Sequence, residues 1–193
     1  DSLAQLTHPD LIKQAKVAVS LHPSYLYGSD FAPLLPQLKG LHDPLFLHGY
    51  LRYANHSVKL RNFYAQYGKD IRVKTAAEIT GTDNLSDAYI YANIQHIQAT
   101  KQSIENLVAN LQNKPFVLPK ELNHLGKIQF NGNITGFFSE IVAYGLLKTD
   151  IGNVDLDLLL THNETNHQLG FRGGVKTDRL DLEKLLGTQS KLG

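Results

Sequence analysis

The 193-residue sequence contains no cysteine, which excludes disulfides, thiolate zinc sites and a thiol nucleophile. An oxidising compartment stays open, since proteins of such compartments can lack cysteine altogether. Charge of one sign is also missing as a run. Nineteen Lys and Arg stand against eighteen Asp and Glu, a net charge of +1. A nucleic-acid surface needs clustered cations to displace counterions, so no nucleic-acid partner is expected. No apolar run reaches the ~18 residues with which a helix crosses a bilayer. Catalytic signatures are wanting too. No G-x-S-x-G elbow holds a serine, and Gly170, Gly173 and Gly174 in GFRGG lack the Lys-Ser/Thr that completes a phosphate loop. Those glycines are better explained by a strand that bends or is closely approached.

What the sequence does have is alternation, written twice. Ile71, Val73, Thr75, Ala77 and Ile79 alternate with Arg72, Lys74, Ala76 and Glu78. Val154, Leu156, Leu158 and Leu160 alternate with Asp155, Asp157 and Leu159. Period two is the mark of a strand with one apolar and one wet face. Strand-like runs followed by a short helix extend from about Leu45 to Leu111 and recur from about Lys127 to Leu186, with Gly49 answered by Gly132 and Gly68 by Gly152. Short turns at Tyr67–Asp70, Gly81–Asn84 and Thr161–Asn166 imply that successive strands pair antiparallel as a meander. Repetition on this scale suggests units that share a core neither could build alone.

The expected helices are few. Ser103 is placed to open a helix over 104–111, Asp181 one over 182–186, and Asp30 one over 31–35 with Pro33 in its tolerated first turn. Lys16–Leu21 reads as the last strand of an earlier unit. The units expected are therefore the end of a preceding one in 1–40, a first full unit in 41–124 and a second in 125–193. The closing Lys191-Leu192-Gly193 has the form of His124-Leu125-Gly126, which precedes a strand. The sequence thus reads as an internal piece of a longer array.

Size poses the functional question. Four strands at ~4.8 Å spacing give an apolar face of about 500 Å² per unit, while a nine-residue helix is only ~13 Å long. Either the side chains fill the face as an ordinary core, or a trough is left that holds something apolar. Candidate lining residues are Leu45, Leu47, Leu51, Val58, Leu60, Ile71 and Val73, then Ile128, Phe130, Ile134, Val154, Leu156, Leu158, Phe171 and Val175. Other constellations are weaker. His42 with His48 and His162 with His167 lack zinc-helix spacing, and no metal is expected. Asp155 with Asp157, and Glu78 near Lys74 and Arg72, fit the wet face of a sheet better than acid–base pairs. Tyr50, Tyr53, Tyr64, Tyr67, Tyr89 and Tyr91 could hold sugar or base rings, but strand propensity accounts for them. No enzyme emerges, and no cofactor.

The segments SDFAPLLPQLKG, LGKIQFNGNITG and FRGGVKTDRLDLEKLLG carry a resemblance. A strand-rich unit, a short Leu-rich helix, then "LG" and a fresh glycine-bearing strand is similar to the AsmA/TamB group of Gram-negative envelope proteins, over roughly 11–193. The resemblance implies a repeating β-groove. Its fold class would be α+β and predominantly β, with antiparallel meander units, short intervening helices and a curved sheet forming an apolar trough. It further implies a periplasmic location, an inner-membrane anchor outside this stretch, phospholipid or acyl chains as ligand, and a role in lipid transport or in outer-membrane assembly and protein secretion. The competing class is an interaction scaffold whose sheet edges bind an outer-membrane assembly protein or client strand.

Overall fold

The computed structural model describes residues 16–31, 36–82, 87–118, 120–137, 139–163 and 168–177. Nine strands form one antiparallel sheet in strict sequence order. They are β1 (Val17–Leu26), β2 (Leu45–Ala54), β3 (Ser57–Tyr67), β4 (Ile71–Thr80), β5 (Tyr89–Thr100), β6 (Lys127–Phe137), β7 (Glu140–Thr149), β8 (Gly152–Asn163) and β9 (Gln168–Thr177). The predominantly β meander expected from the alternation is thus what forms. The sheet does not close, because β1 and β9 each pair on one side only. Short turns enforce the order. Asn55 and His56, both at positive φ (52° and 56°), join β2 to β3 as a two-residue hairpin turn whose twist suits the strands.

Two helices are present among the described residues, α1 (Gly28–Phe31) and α2 (Lys101–Gln112). Both differ from expectation at their starts. The N-cap of α2 is Thr100, whose side chain accepts from the Ser103 amide (3.2 Å), while Ser103 returns its hydroxyl to the Thr100 amide (2.9 Å). Ser103 therefore sits inside the first turn as the far half of a capping box. Asp30 likewise lies within α1 and accepts from the Tyr27 amide at 2.8 Å. The helix expected over 182–186, and positions 32–35 of the one expected over 31–35, lie outside the described residues.

Register shows how the faces are composed. One row reads Leu47, Ala65, Val73, Ile97, Phe130, Leu147 and Val154 across β2–β8. Another reads Val19, Leu51, Leu60, Ala77, Ala92, Ile134, Ala143, Leu158 and Gly173 across all nine strands. Directly opposed residues share a face, so one face of the sheet is apolar from edge to edge, with Thr75 among its few polar members.

Between these rows runs a line of pairing irregularities, here called the crease. β1, β3 and β5 each carry an irregularity there, at His22–Pro23, Arg61–Asn62 and Gln95–His96. An extra residue lets a strand bend and lets its apolar phase resume on the same face. In β6 and β7 the crease continues through Gly132 and Gly145, which stand directly opposite each other. A Cβ on Gly145, at φ +155°, would lie 2.2 Å from the Asn131 carbonyl oxygen, and one on Gly132 2.2 Å from that of Tyr144. Gly173 in β9 is crowded in the same way by Asp157, whereas a Cβ on its neighbour Gly174 would meet nothing within 4 Å. Of the two explanations offered for GFRGG, close approach is the one seen, by backbone at Gly173 and by the Thr161 side chain at Gly170.

Gly145→Ala should lower the stability of the chain by about 3 kcal/mol through backbone overlap and an unfavourable φ. Gly174→Ala should change it by less than about 0.5 kcal/mol. Urea unfolding of both variants checks this, and equal effects would mean that the crease does not depend on glycine.

Candidate functional site: an apolar sheet face between two open edges

Every lining residue named from the sequence falls on the apolar face. Leu45, Leu47 and Leu51 of β2 oppose Tyr67, Ala65 and Leu60 of β3. Val58 and Leu60 oppose Ile79 and Ala77, and Ile71 and Val73 oppose Tyr67 and Ala65. Ile128, Phe130 and Ile134 of β6 oppose Ala99, Ile97 and Ala92. Val154, Leu156 and Leu158 of β8 follow on from Leu147, Gly145 and Ala143, and Val175 and Phe171 of β9 oppose Leu156 and Leu160. The face also recruits residues that the sequence reading missed, chiefly Phe63 of β3, Ile90, Ile94 and Ile97 of β5, and Ile141 and Leu147 of β7. The bulges hid those of β3 and β5, because apolar positions there jump from Leu60 to Phe63 and from Ile94 to Ile97.

Coverage of this face is unequal. At one end Ile104, Leu107 and Leu111 of α2 pack with Leu38 and Leu45 on a cluster of Leu41, Tyr67, Ile71 and Ala99. A twelve-residue helix is ~18 Å long and spans about four strands. Across the middle, Ala77, Ala92 and Ile94 are buried by Leu60, Ile90, Ile97, Phe130 and Ile134, all residues of the sheet itself. Ile94 is only 5% exposed, and its described packing partners all belong to the sheet. Beyond the crease, Val58, Ile79, Leu158 and Leu160 are half-buried. At the edges Phe171 and Val175 are 70% and 58% exposed, and Val17 and Val19 are exposed as well. No large side chain among the described residues is fully buried.

One polar anchor fixes the covered end. Glu105 of α2 is buried, bridges Lys101 at 2.5 Å and accepts from the Leu118 amide at 2.8 Å. It thereby ties the segment after the helix back onto it. The hydrogen bond from Lys101 and then the one from Leu118 hold its carboxyl below the ordinary value of 4.5, against the opposing effect of burial.

The remaining candidates sort onto the other face. Asp155 and Asp157 project there, exposed, beside a cleft of about 680 Å³ that Asn131, Tyr144 and Lys176 also line. Glu78 pairs across the strands with Lys59 at 2.8 Å, and not along its own strand with Arg72 or Lys74. The tyrosines divide. Tyr53 and Tyr67 lie on the apolar face, Tyr50, Tyr64, Tyr89 and Tyr91 on the polar one. His48 stacks on Tyr64 with ring centroids 5.1 Å apart. His162 and His167 lie where the side chains fall outside the described residues, and among the described residues no group of three metal-ligating side chains occurs. No helix is long and apolar enough to cross a membrane, again among the described residues. Comparison with known proteins returns no family model, no curated protein and no solved structure that matches the chain.

The Glu105 anchor has a definite pH signature. A lowered folded-state pKa contributes stability that is full above the unfolded value and fades as pH falls through the folded one. Glu105→Gln should therefore be less stable than the native chain at pH 7, and the gap should shrink on acidification below about pH 4.5. Thermal melts across that range measure it, and a pH-independent gap would mean that ionisation of Glu105 contributes nothing.

Proposed function

We propose that this chain is a segment of an AsmA/TamB-like envelope protein and that its apolar face holds acyl chains. In this reading the crease folds the apolar face inward as a trough, and neighbouring units extend it. Phospholipid tails lie along the floor while headgroups stay at the open side beyond the crease. The location is periplasmic, with an inner-membrane anchor outside this stretch, and the process served is inter-membrane lipid transfer or outer-membrane assembly. One observation carries the reading: an apolar face continuous over nine strands on which, among the described residues, a single α-helix packs at one end. Apolar patches above a few hundred Å² are rare on soluble monomers unless something binds them. Conduction along such a floor needs no acid, base or metal, and dispersion with non-directional burial suits a sliding chain.

A second reading rests on the edges. β9 presents its outer edge over ten residues without proline, whereas β1 is interrupted by a bulge at His22–Pro23. Of the two, β9 is the edge fitted to accept a strand from an outer-membrane client or assembly partner.

Native mass spectrometry with organic extraction of the purified chain tests the first reading. Co-purified phospholipid or fatty acid is expected, and Leu156→Asp, Phe130→Asp and the fold-safe edge variant Phe171→Asp should each reduce it at least about tenfold, given the transfer cost of a charge into an apolar site. Asp155→Ala on the opposite face should leave it unchanged. Equal loss in all four, or none, would sink the lipid reading. Lys176→Pro, in the same edge strand but on the face away from the lining, should leave lipid capture intact and abolish strand addition at β9; retained partner binding would remove the second reading.

A further inference from the structure

The polar face is not uniform in charge. On β2–β4 it carries Arg52, Lys59, Arg61, Arg72 and Lys74 against one carboxylate, Glu78. Glu78 is engaged by Lys59. Arg52, Arg61, Arg72 and Lys74 have no carboxylate partner among the described residues, and Arg52, Arg61 and Lys74 are exposed. Strand spacing puts neighbouring members of this set about 7–11 Å apart. That is close to the ~10 Å Debye length at 0.1 M salt, so they act as one field. Beside them lies an aromatic cluster on the same face. Tyr25, 73% exposed, leans on Phe46 at 5.0 Å, and Phe46 meets His48 and Tyr64 edgewise.

We propose that the polar face of β2–β4 is a docking surface for an anionic phospholipid membrane. Four uncompensated cations would meet the lipid phosphates, and the exposed Tyr25 ring would sit at headgroup level, where an apolar body with a polar tip is favoured. A single-stranded nucleic acid shares the phosphate chemistry but needs open ring faces on which bases stack. Within this cluster His48 and Tyr64 cover each other nearly parallel, at an interplanar angle of 15°, and Phe46 is hemmed by three rings, while the open ring of Tyr91 lies outside it on β5. The proposal does not rest on acyl chains occupying the apolar face. It concerns the opposite side of the sheet, and extraction of co-purified lipid does not report on it.

Sedimentation of the 193-residue chain with vesicles tests the proposal. Phosphatidylcholine vesicles containing about one-third phosphatidylglycerol should bind the chain at ~0.1 M salt and release it at ~0.5 M, and pure phosphatidylcholine should not bind. Each cation near an anionic surface contributes about fivefold, so Arg52→Gln with Arg61→Gln should weaken binding about thirtyfold. Arg72→Gln with Lys74→Gln provides a second pair should the first disturb folding, which circular dichroism reports. Lys127→Gln with Lys148→Gln removes the same charge from elsewhere on the face and should cost no more than about threefold. Equal binding to both vesicle types, equal loss from all pairs, or tighter binding of a single-stranded oligonucleotide than of the anionic vesicles would each overturn the proposal.

Discussion

The constraint on which the rest of the structure depends is parity. In a strand, successive side chains alternate between faces, so a slip of one residue sends every apolar group to the wrong side. β3 meets this constraint in the middle of its length. Val58 and Leu60 lie on the apolar face, and so do Phe63, Ala65 and Tyr67, although the two sets differ in parity. The extra residue at Arg61–Asn62, with Asn62 at φ 45°, absorbs the difference. Without it Tyr67 would turn to solvent, and α2 would lose the ring that lies in the cluster under Leu107 and Leu111. Helix docking at the end of the sheet thus depends on a bulge five residues before Tyr67, along a strand that rises ~3.4 Å per residue.

Such bulges also allow a sheet to bend where, among the described residues, no helix packs on it. An unbent sheet without helices above it leaves its apolar side chains half in water, and curvature is the means by which neighbours in adjacent rows come into contact. Two devices that permit it are present, bulges in β1, β3 and β5 and opposed glycines in β6 and β7. They are physically different. A bulge adds chain, whereas Gly132 and Gly145 remove the Cβ atoms that would strike the facing carbonyls. The apolar face is consequently graded, packed under α2 where Glu105 closes the end and well exposed at Phe171 and Val175. Local opening free energies follow buried contact, so the edge at β9 is expected to open more readily than the end under α2.

Much of this was legible in the sequence because alternation is a property of neighbours. β4 and β8 keep unbroken phase, and Ile71, Val73, Val154, Leu156 and Leu158 could be assigned to one face directly. β5 could not be read that way. Its phase breaks at Gln95–His96, a feature that only pairing with β4 and β6 defines, and so Ile90, Ile94 and Ile97 were left out of the lining. The start of α2 was misplaced for a related reason. Thr100 and Ser103 both have capping chemistry, and their reciprocal bonds, not composition, decide which one is the cap. Glu105 was invisible, since its significance lies in an amide thirteen positions later.

Charge was the least legible quantity of all, although every charged residue is plain in the sequence. The near balance of nineteen cations and eighteen anions hides a division by role. Carboxylates are drawn to turns, where a short side chain can accept from nearby amides. Asp150, between β7 and β8, accepts from the Lys127 amide at 3.1 Å, and Asp30 accepts from that of Tyr27. Long cationic side chains do no such work in turns, yet they can lie across a pleated surface with the charge in water. Once the apolar residues claim one face of β2–β4, Arg52, Arg61, Arg72 and Lys74 have only the other face to occupy. The cationic surface is therefore a consequence of the same alternation that builds the apolar one, and the two faces of these strands are chemically opposite because a single parity rule fixes both.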